Sequence, residues 1–213
     1  FHGTSHRYIA KTISSILNRE DLKVISCHVG NGGSITAIKN GRWVDTSMGF
    51  TPLAGIMMGT RSGDVDPSII PYIMEQEGLN ASEVVDILNK KSGLLGMSEK
   101  SSDMRDVIVG VEEQDEKCML AFDKYTRCTT NYIAQYYTLL EGADVIVFTA
   151  GLGENSILFR ERVCQNLKCL GVELDQEKNK QVTGTMKIST KNSKVLVYVI
   201  PTDEELMIAR DTL

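Results

Sequence analysis

The hydrophobic positions of the chain recur with two periods, one typical of strands and one of helices. Val24–Val29 is a short, largely apolar run rich in β-branched side chains, as expected of a strand buried on both faces. Residues 34–39 and 42–47 predict two more strands, joined by Asn40-Gly41, a dipeptide typical of type I′ hairpins. Further strands are predicted over residues 143–149, 186–189 and 195–200.

Apolar residues three and four positions apart predict helices between these strands. Residues 7–18 carry isoleucines on one face, and Ser5 suits an N-cap for this helix. The longest helical pattern covers residues 112–141 and ends at Gly142. The remaining predicted helices cover residues 67–77, residues 81–90 and residues 156–170, with a terminal helix opened by Pro201.

Two glycine-rich segments follow predicted strands directly. Gly30-Asn31-Gly32-Gly33 allows positive φ angles, and its free amides suit phosphate oxygens, although an ordinary tight hairpin explains the same residues. Residues 150–156 join a strand to a helix, an arrangement that presents backbone N–H groups to an anion. Neither segment has the spacing of a dinucleotide fingerprint or a P-loop.

Several polar side chains in loops are candidates for binding. Residues 48–66 form a long segment almost without period, in which the planar fork of Arg61 could bind a carboxylate or phosphate. A structural ion pair of Arg61 with Asp64 or Asp66 is the alternative. Asp103 could accept hydrogen bonds from ribose hydroxyls, but it would serve equally well as a helix N-cap.

Composition and charge narrow the function classes. The chain has 213 residues, 42% of them hydrophobic, which is enough to form the core of one large domain or of one and a half domains. The chain contains no run of 18 apolar residues, so no membrane-spanning helix is predicted. A net charge of −5 with scattered Lys and Arg argues against nucleic acid as a partner. Five cysteines without a Cys-x-x-Cys pair indicate reduced thiols and a cytoplasmic location.

Six motifs, taken in order, closely resemble those of the acetate kinases, the acetokinase family. They are FHGTSH at residues 1–6, HVGNG at 28–32, MGTRSGD at 58–64, DMR at 103–105, GLGENS at 151–156 and PTDEE at 201–205. The resemblance implies that this chain corresponds to the C-terminal half only, and its start at Phe1 without methionine or leader predicts a fragment and not a secreted protein.

The resemblance also implies a fold and a domain organisation. The fold class is α/β, of the actin, sugar-kinase and acetate-kinase superfold, a ribonuclease H-like mixed sheet with flanking helices. Residues 1–203 would be a C-terminal nucleotide-binding and dimerisation domain, one of the family's two domains. Residues 204–213 would begin a terminal helix that packs on the N-terminal domain.

The implied activity is reversible transfer of the ATP γ-phosphoryl group to acetate, giving acetyl phosphate and ADP with Mg²⁺ or Mn²⁺, in a homodimer. His2 and Arg61 would stabilise the phosphoryl group in transfer. Glu204 would bind the metal. The residues implied in nucleotide binding are His28, Gly30, Asn31, Gly32, Asp103, Met104, Arg105, Gly151, Leu152, Gly153, Glu154 and Asn155.

Some features depart from the family pattern and keep alternatives open. The family's N-terminal half, with further catalytic residues, is absent, so the chain alone is expected to be inactive. Asp203 stands where Asn is usual, and Ala54 where Glu is more usual. The alternatives are a propionate or butyrate kinase, a non-catalytic nucleotide-binding or dimerisation module, and a sugar kinase or chaperone-like ATPase of the same superfold.

Overall fold

The computed structural model describes residues 1–212, without the side chains of residues 208 and 210–212. The chain divides into two compact units. The first consists of Phe1–Ser47 together with the chain from Thr129 onward, and the second is Met48–Cys128. The helices of the described residues are α1 Gly3–Leu17, α2 Ile69–Glu77, α3 Ala81–Lys90, α4 Gly93–Ser98, α5 Met104–Glu112, α6 Glu116–Leu139, α7 Ala150–Asn155, α8 Ile157–Asn166, α9 Gln176–Lys180 and α10 Glu204–Thr212.

A mixed sheet forms the centre of the first unit. Its order in the described chain is β3-β2-β1-β4-β6-β5, in which β1, β4 and β6 run parallel and the other pairs antiparallel. The β2–β3 hairpin turns at Asn40 and Gly41, both with positive φ, which confirms the predicted turn. The strands are β1 Lys23–Val29, β2 Gly33–Lys39, β3 Arg42–Thr46, β4 Val145–Thr149, β5 Met186–Lys187 and β6 Leu196–Val199.

Helix α1 covers one face of this sheet. Ile9 and Ile13, one turn apart, are fully buried against Val24 and Val147 of the two central strands. Burial of each such side chain contributes about 1.5–3 kcal/mol. In contrast, every residue of the outer strand β3 is exposed, and Trp43 keeps 57% of its surface accessible. The sheet therefore has a packed centre and one open edge.

Three predictions about helix ends were wrong. Helix α1 begins at Gly3, with His2 at the N-cap position, so Ser5 lies inside the helix and caps nothing. The helix predicted over residues 112–141 is α6, which begins only at Glu116, because Gln114 adopts a left-handed conformation (φ 62°) and Asp115 accepts a hydrogen bond from the Cys118 amide. The preceding helix, α5, carried no helical prediction. The helix over residues 156–170 likewise ends at Asn166.

Three short helices lie in segments that carried no helical prediction. Helices α4 and α7 are six residues each and rich in glycine, and α9 has five residues. Such elements are too short to show a period in the sequence. The α3 prediction is confirmed, and Asn80 and Glu83 form a capping box at the start of this helix.

The five cysteines are free, and three of them are buried. Burial raises the pKa of the Cys164 thiol to about 12. Along residues 1–212, every helix is too short or too polar to cross a bilayer.

Candidate functional site

Three histidines meet in the first unit, where β1 ends beside the start of α1. His2 holds a left-handed conformation (φ 54°, ψ 24°) just before the helix, and its ring stacks on that of His28 with 3.8 Å between centroids and 13° between planes. His6 follows one helical turn later and meets His28 edge to face at 6.2 Å. The helix spacing and the strand register thus bring all three rings together.

Buried serine hydroxyls connect His6 with its surroundings. His6 Nδ1 lies 2.8 Å from Ser26 Oγ, and His6 Nε2 lies 2.7 Å from Ser34 Oγ. The same Ser34 Oγ is 3.0 Å from His2 Nδ1. Ser34 therefore links the buried histidine with the half-buried one.

A second hydroxyl pair holds His28. Its Nδ1 lies 2.8 Å from Ser5 Oγ, and Thr202 Oγ1 donates to the same oxygen at 2.8 Å. The Thr202 amide also donates to Glu154 Oε1 at 3.3 Å. Ser5 is fully buried, so this contact joins α1, β1 and the segment that leads into α10.

Two histidines of this cluster, His6 and His28, are neutral at pH 7. Burial, followed by the nearby His28 and His2, lowers the pKa of His6 to about 3. Burial and the adjacent His2 likewise lower the pKa of His28 to about 3. Both rings therefore act as neutral hydrogen-bonding groups.

The two glycine-rich segments predicted as phosphate sites lie against each other. The Gly30 amide donates to Gly32 O at 2.9 Å, which tightens the first segment. A Cβ atom on Gly30 would lie 3.8 Å from Ala150 Cβ and 3.9 Å from Gly151 N, ordinary contact distances. The side chain of Asn155 donates to Gly151 O at 2.8 Å, one helical turn earlier, and so connects the end of α7 with its start.

A buried arginine supports α7 from behind, and sequence reasoning missed it. Arg160 Nη1 donates to Gly153 O at 3.0 Å and to Glu154 O at 2.8 Å, two carbonyls near the end of α7. Its Nε and Nη2 donate to Asn179 Oδ1 at 2.7 Å and Asn179 O at 3.0 Å. Desolvation lowers the pKa of Arg160 to about 10, so it keeps its charge at pH 7. The cation therefore faces the negative end of a helix.

In the second unit, Arg61 lies in a loop fixed by backbone hydrogen bonds. Met58 N donates to Arg61 O at 3.0 Å, and Arg61 Nη1 lies 3.7 Å from Met58 Sδ. Asp64 accepts from the Gly55 amide and Asp66 from the Ser68 amide. No described carboxylate forms an ion pair with Arg61, so the alternative structural pairing is wrong.

Asp103 and Arg105, also in the second unit, pair with each other. Asp103 is the N-cap of α5 and accepts from the Arg105 amide at 2.8 Å, as the alternative reading of this residue predicts. The Arg105 guanidinium donates to the Asp103 carboxylate at 2.6 Å and holds the pKa of that carboxyl below its usual range. Met104 is buried.

Glu204 lies half-buried in the first turn of α10. Residues 1–212, where their side chains are described, contain no group of three or more His, Cys, Asp or Glu side chains that could hold a metal. Mg²⁺ is commonly held by one or two carboxylates, with waters and substrate phosphates as the other ligands. A single carboxylate such as Glu204 therefore fits that mode of binding.

Comparison with known proteins adds the identity of this arrangement. Residues 1–210 match the model of the Acetokinase family. The chain belongs to the acetokinase family. The acetate kinase of Heliobacterium modesticaldum is 54% identical over 214 residues, which cover 100% of this chain and 54% of that protein. The resemblance drawn from the six motifs is confirmed, and the chain spans about half the length of such relatives.

Solved structures of acetokinase-family members agree with this chain in fold. The crystal structure of Porphyromonas gingivalis acetate kinase has a TM-score of 0.96 at 46% identity and covers 100% of this chain and 54% of that one. A propionate kinase from Francisella tularensis has a TM-score of 0.94 at 41% identity, covering 99% and 54%. The predicted fold class, a mixed α/β sheet of the actin and sugar-kinase superfold, is confirmed.

The residues implied by the acetokinase resemblance are divided between the two units. The first unit contains the histidines, both glycine-rich segments and Glu204, and the second contains Arg61 and residues 103–105. Sequence reasoning missed the serine and threonine hydroxyls that bind the histidines in the first unit, although one feature of the sequence could have indicated two of the serines. Ser26 and Ser34 are polar residues within largely apolar, buried strands, which indicates a buried partner.

Proposed function

We propose that this chain supplies the nucleotide-binding half of an acetate kinase, which transfers the γ-phosphoryl group of ATP reversibly to acetate and forms acetyl phosphate and ADP. One observation carries the proposal. In a member of the acetokinase family, a stacked pair of histidines lies in the same unit as two adjoining glycine-rich segments.

The chemistry requires positioning and charge neutralisation more than covalent catalysis. Attack of acetate on ATP brings two anions together, so donors and cations must surround the phosphoryl group. Arg61 offers a permanently charged planar fork that no described carboxylate occupies. His2 and His28 offer ring nitrogens, and we assign His2 and Arg61 to the phosphoryl group in transfer. Loss of one such donor typically costs about 100-fold to 1000-fold in rate.

Nucleotide binding falls to the remaining predicted residues. Residues 28–32 and 151–155 would bring backbone amides and small side chains to the phosphates and the nucleoside. Asp103 and Arg105 would bind the ribose and base side, with Arg105 already held by its ion pair. Mg²⁺ or Mn²⁺ at Glu204 would neutralise phosphate charge when bound.

The acyl substrate is the least constrained part of the proposal. The propionate kinase among the structural relatives supports propionate as the second candidate, and butyrate is a third. The ratio of kcat/KM for the three acids, measured on a protein that has both halves, decides between them.

Two experiments test the proposal. Calorimetric titration of this chain with ADP and ATP measures binding, and a non-catalytic nucleotide-binding module would also bind. A chimera that places the first half of the Heliobacterium modesticaldum acetate kinase before Phe1 tests catalysis, with acetyl phosphate trapped by hydroxylamine. We expect product from the chimera and none from this chain alone. A well-folded chimera that binds ATP and forms no acetyl phosphate contradicts the proposal.

Homodimer formation, the cytoplasmic location and the boundary after residue 203 stay predictions. The free cysteines fit a reducing compartment. Analytical ultracentrifugation of this chain tests whether it dimerises without the other half.

A further inference from the structure

The hydrogen bonds around His6 form a chain in which the protons can be placed. Ser26, His6, Ser34 and His2 follow one another at 2.8, 2.7 and 3.0 Å. A neutral imidazole has one N–H donor and one acceptor, and each serine has a single hydroxyl proton. Ser34 is fully buried, so its hydroxyl proton must go to one of its two histidine partners. The chain can therefore run in only two directions, either from Ser26 toward His2 or from His2 toward Ser26.

Ser26 decides between the two directions. It is fully buried, and the one hydrogen-bond partner of its hydroxyl within the described residues is His6. If His6 donated to Ser26, the Ser26 proton would be buried without an acceptor, which native proteins rarely tolerate. Ser26 therefore donates to His6 Nδ1, His6 donates from Nε2 to Ser34, and Ser34 donates to His2 Nδ1.

The second hydroxyl pair leads to the same result at His28. Thr202 donates to Ser5 Oγ, and Ser5 is fully buried with Thr202 and His28 as its side-chain partners. If His28 also donated, the hydroxyl proton of Ser5 would lack an acceptor among residues 1–212. Ser5 therefore donates to His28 Nδ1, and the proton of that ring is on Nε2.

We propose that the two hydroxyl chains fix His2, His6 and His28 as Nε2–H tautomers, with Ser34 and Ser5 as the positioning residues that make His2 and His28 donors at Nε2. Phosphoryl oxygens accept hydrogen bonds and donate none, so donors at these two rings are what such a ligand needs. Neutral donors also avoid placing two positive charges in rings stacked at 3.8 Å. The use of these donors toward a phosphoryl oxygen rests on the proposed function, whereas the tautomers rest on the hydrogen bonds.

Nitrogen NMR of the full 213-residue chain, labelled with ¹⁵N at histidine, tests the tautomers directly. The sequence has three histidines, so three pairs of ring nitrogens are observed. An unprotonated ring nitrogen resonates far downfield of a protonated one. At pH 7 we expect a downfield Nδ1 and an upfield Nε2 for all three rings. A protonated Nδ1 as the major form of His2 or of His28 overturns the proposal.

Two variants test the positioning roles, and each is the control for the other. Ser34→Ala removes the donor to His2, so the His2 Nδ1 resonance should move upfield toward a mixture of tautomers while His28 is unchanged. Ser5→Ala should do the reverse. Ser15→Ala, an exposed serine of α1, should change neither ring. If His2 and His28 keep their tautomers in both variants, Ser34 and Ser5 do not position them.

A variant that fails to fold leaves the wild-type spectrum as the deciding measurement. The NMR experiment uses no nucleotide and no catalysis. A chimera without phosphotransfer therefore contradicts the proposed function alone, and wrong tautomers contradict this inference alone.

Discussion

Arg160 is the residue whose replacement tests the packing argument most directly. Arg160→Met keeps much of the side-chain volume but removes four hydrogen bonds, two to α7 carbonyls and two to Asn179. Three backbone carbonyls and one side-chain amide oxygen lose their donor. Because Arg160 is 1% exposed, no water takes the place of its guanidinium without rearrangement.

The expected cost can be estimated from two opposing terms. Each buried acceptor left without a donor costs about 1–3 kcal/mol, which gives a gross loss of about 4–12 kcal/mol. Removing the cation relieves its desolvation. The pKa of Arg160 falls from 12.5 to about 10, and at 1.36 kcal/mol per pKa unit this is about 3 kcal/mol. Helix α7 can also shift to hydrate its carbonyls, so we expect a net loss of about 3–5 kcal/mol.

Urea unfolding followed by circular dichroism measures this loss, with ADP titration as a second readout. Lys168→Met is the matched control, since it removes one exposed positive charge and should change stability by about 0.5 kcal/mol or less. Arg160→Lys keeps the charge without the planar fork and should fall between the two. A loss below about 1 kcal/mol for Arg160→Met would refute the claim that this side chain holds α7.

Three further predictions concern pH, catalysis and the loop of the second unit. His6 and His28 take up a proton near pH 6.5 in the unfolded chain and near pH 3 in the folded chain. The free energy of unfolding should therefore fall as pH is lowered through this window, by up to about 2.7 kcal/mol per pH unit for the two rings together. Urea unfolding from pH 7 to 4 measures this slope, and His6→Gln should halve it. In a protein with both halves, Arg61→Ala should lower kcat about 100-fold to 1000-fold with little change in ATP affinity, and a normal kcat excludes the assigned role. Gly93→Ala places a Cβ atom 2.2 Å from a backbone carbonyl oxygen, whereas Gly78, which also has a positive φ, has no atom within 4 Å of such a Cβ. Gly93→Ala should therefore lower the free energy of unfolding by at least about 2 kcal/mol more than Gly78→Ala. Equal losses would show that the loop around Gly93 rearranges to accept the methyl group.

The sequence predicts the strands well because a buried strand is a contiguous run of largely apolar residues, and such a run is visible without knowledge of the fold. Residues 24–29 are largely apolar and residues 195–200 almost wholly so, and both lie in inner strands that pair in parallel with β4. The six motifs identify the family because their residues and their order resemble those of the acetokinase family, whatever their local structure. Helix ends are less certain, as Ser5 shows, because a serine can cap a helix or hold a distant histidine with the same hydroxyl.

The hydroxyl chains and Arg160 could not be predicted from local pattern. Ser34 is 28 positions from His6, and Asn179 is 19 positions from Arg160. Contacts at such distances depend on which strands pair and on how the helices return to the sheet. A polar residue in a buried segment implies that a hydrogen-bond partner exists, but only the fold shows which residue that partner is.

The open edge of the sheet has a spectroscopic consequence. Trp43 is the one tryptophan of the sequence, and it lies on β3 with 57% of its surface accessible. Its emission in the native state should therefore already be that of a solvated indole, and unfolding should change it little. The same fluorophore is a selective reporter for anything that covers the β3 edge, because a blue shift on mixing or concentration can come from no other indole in the chain.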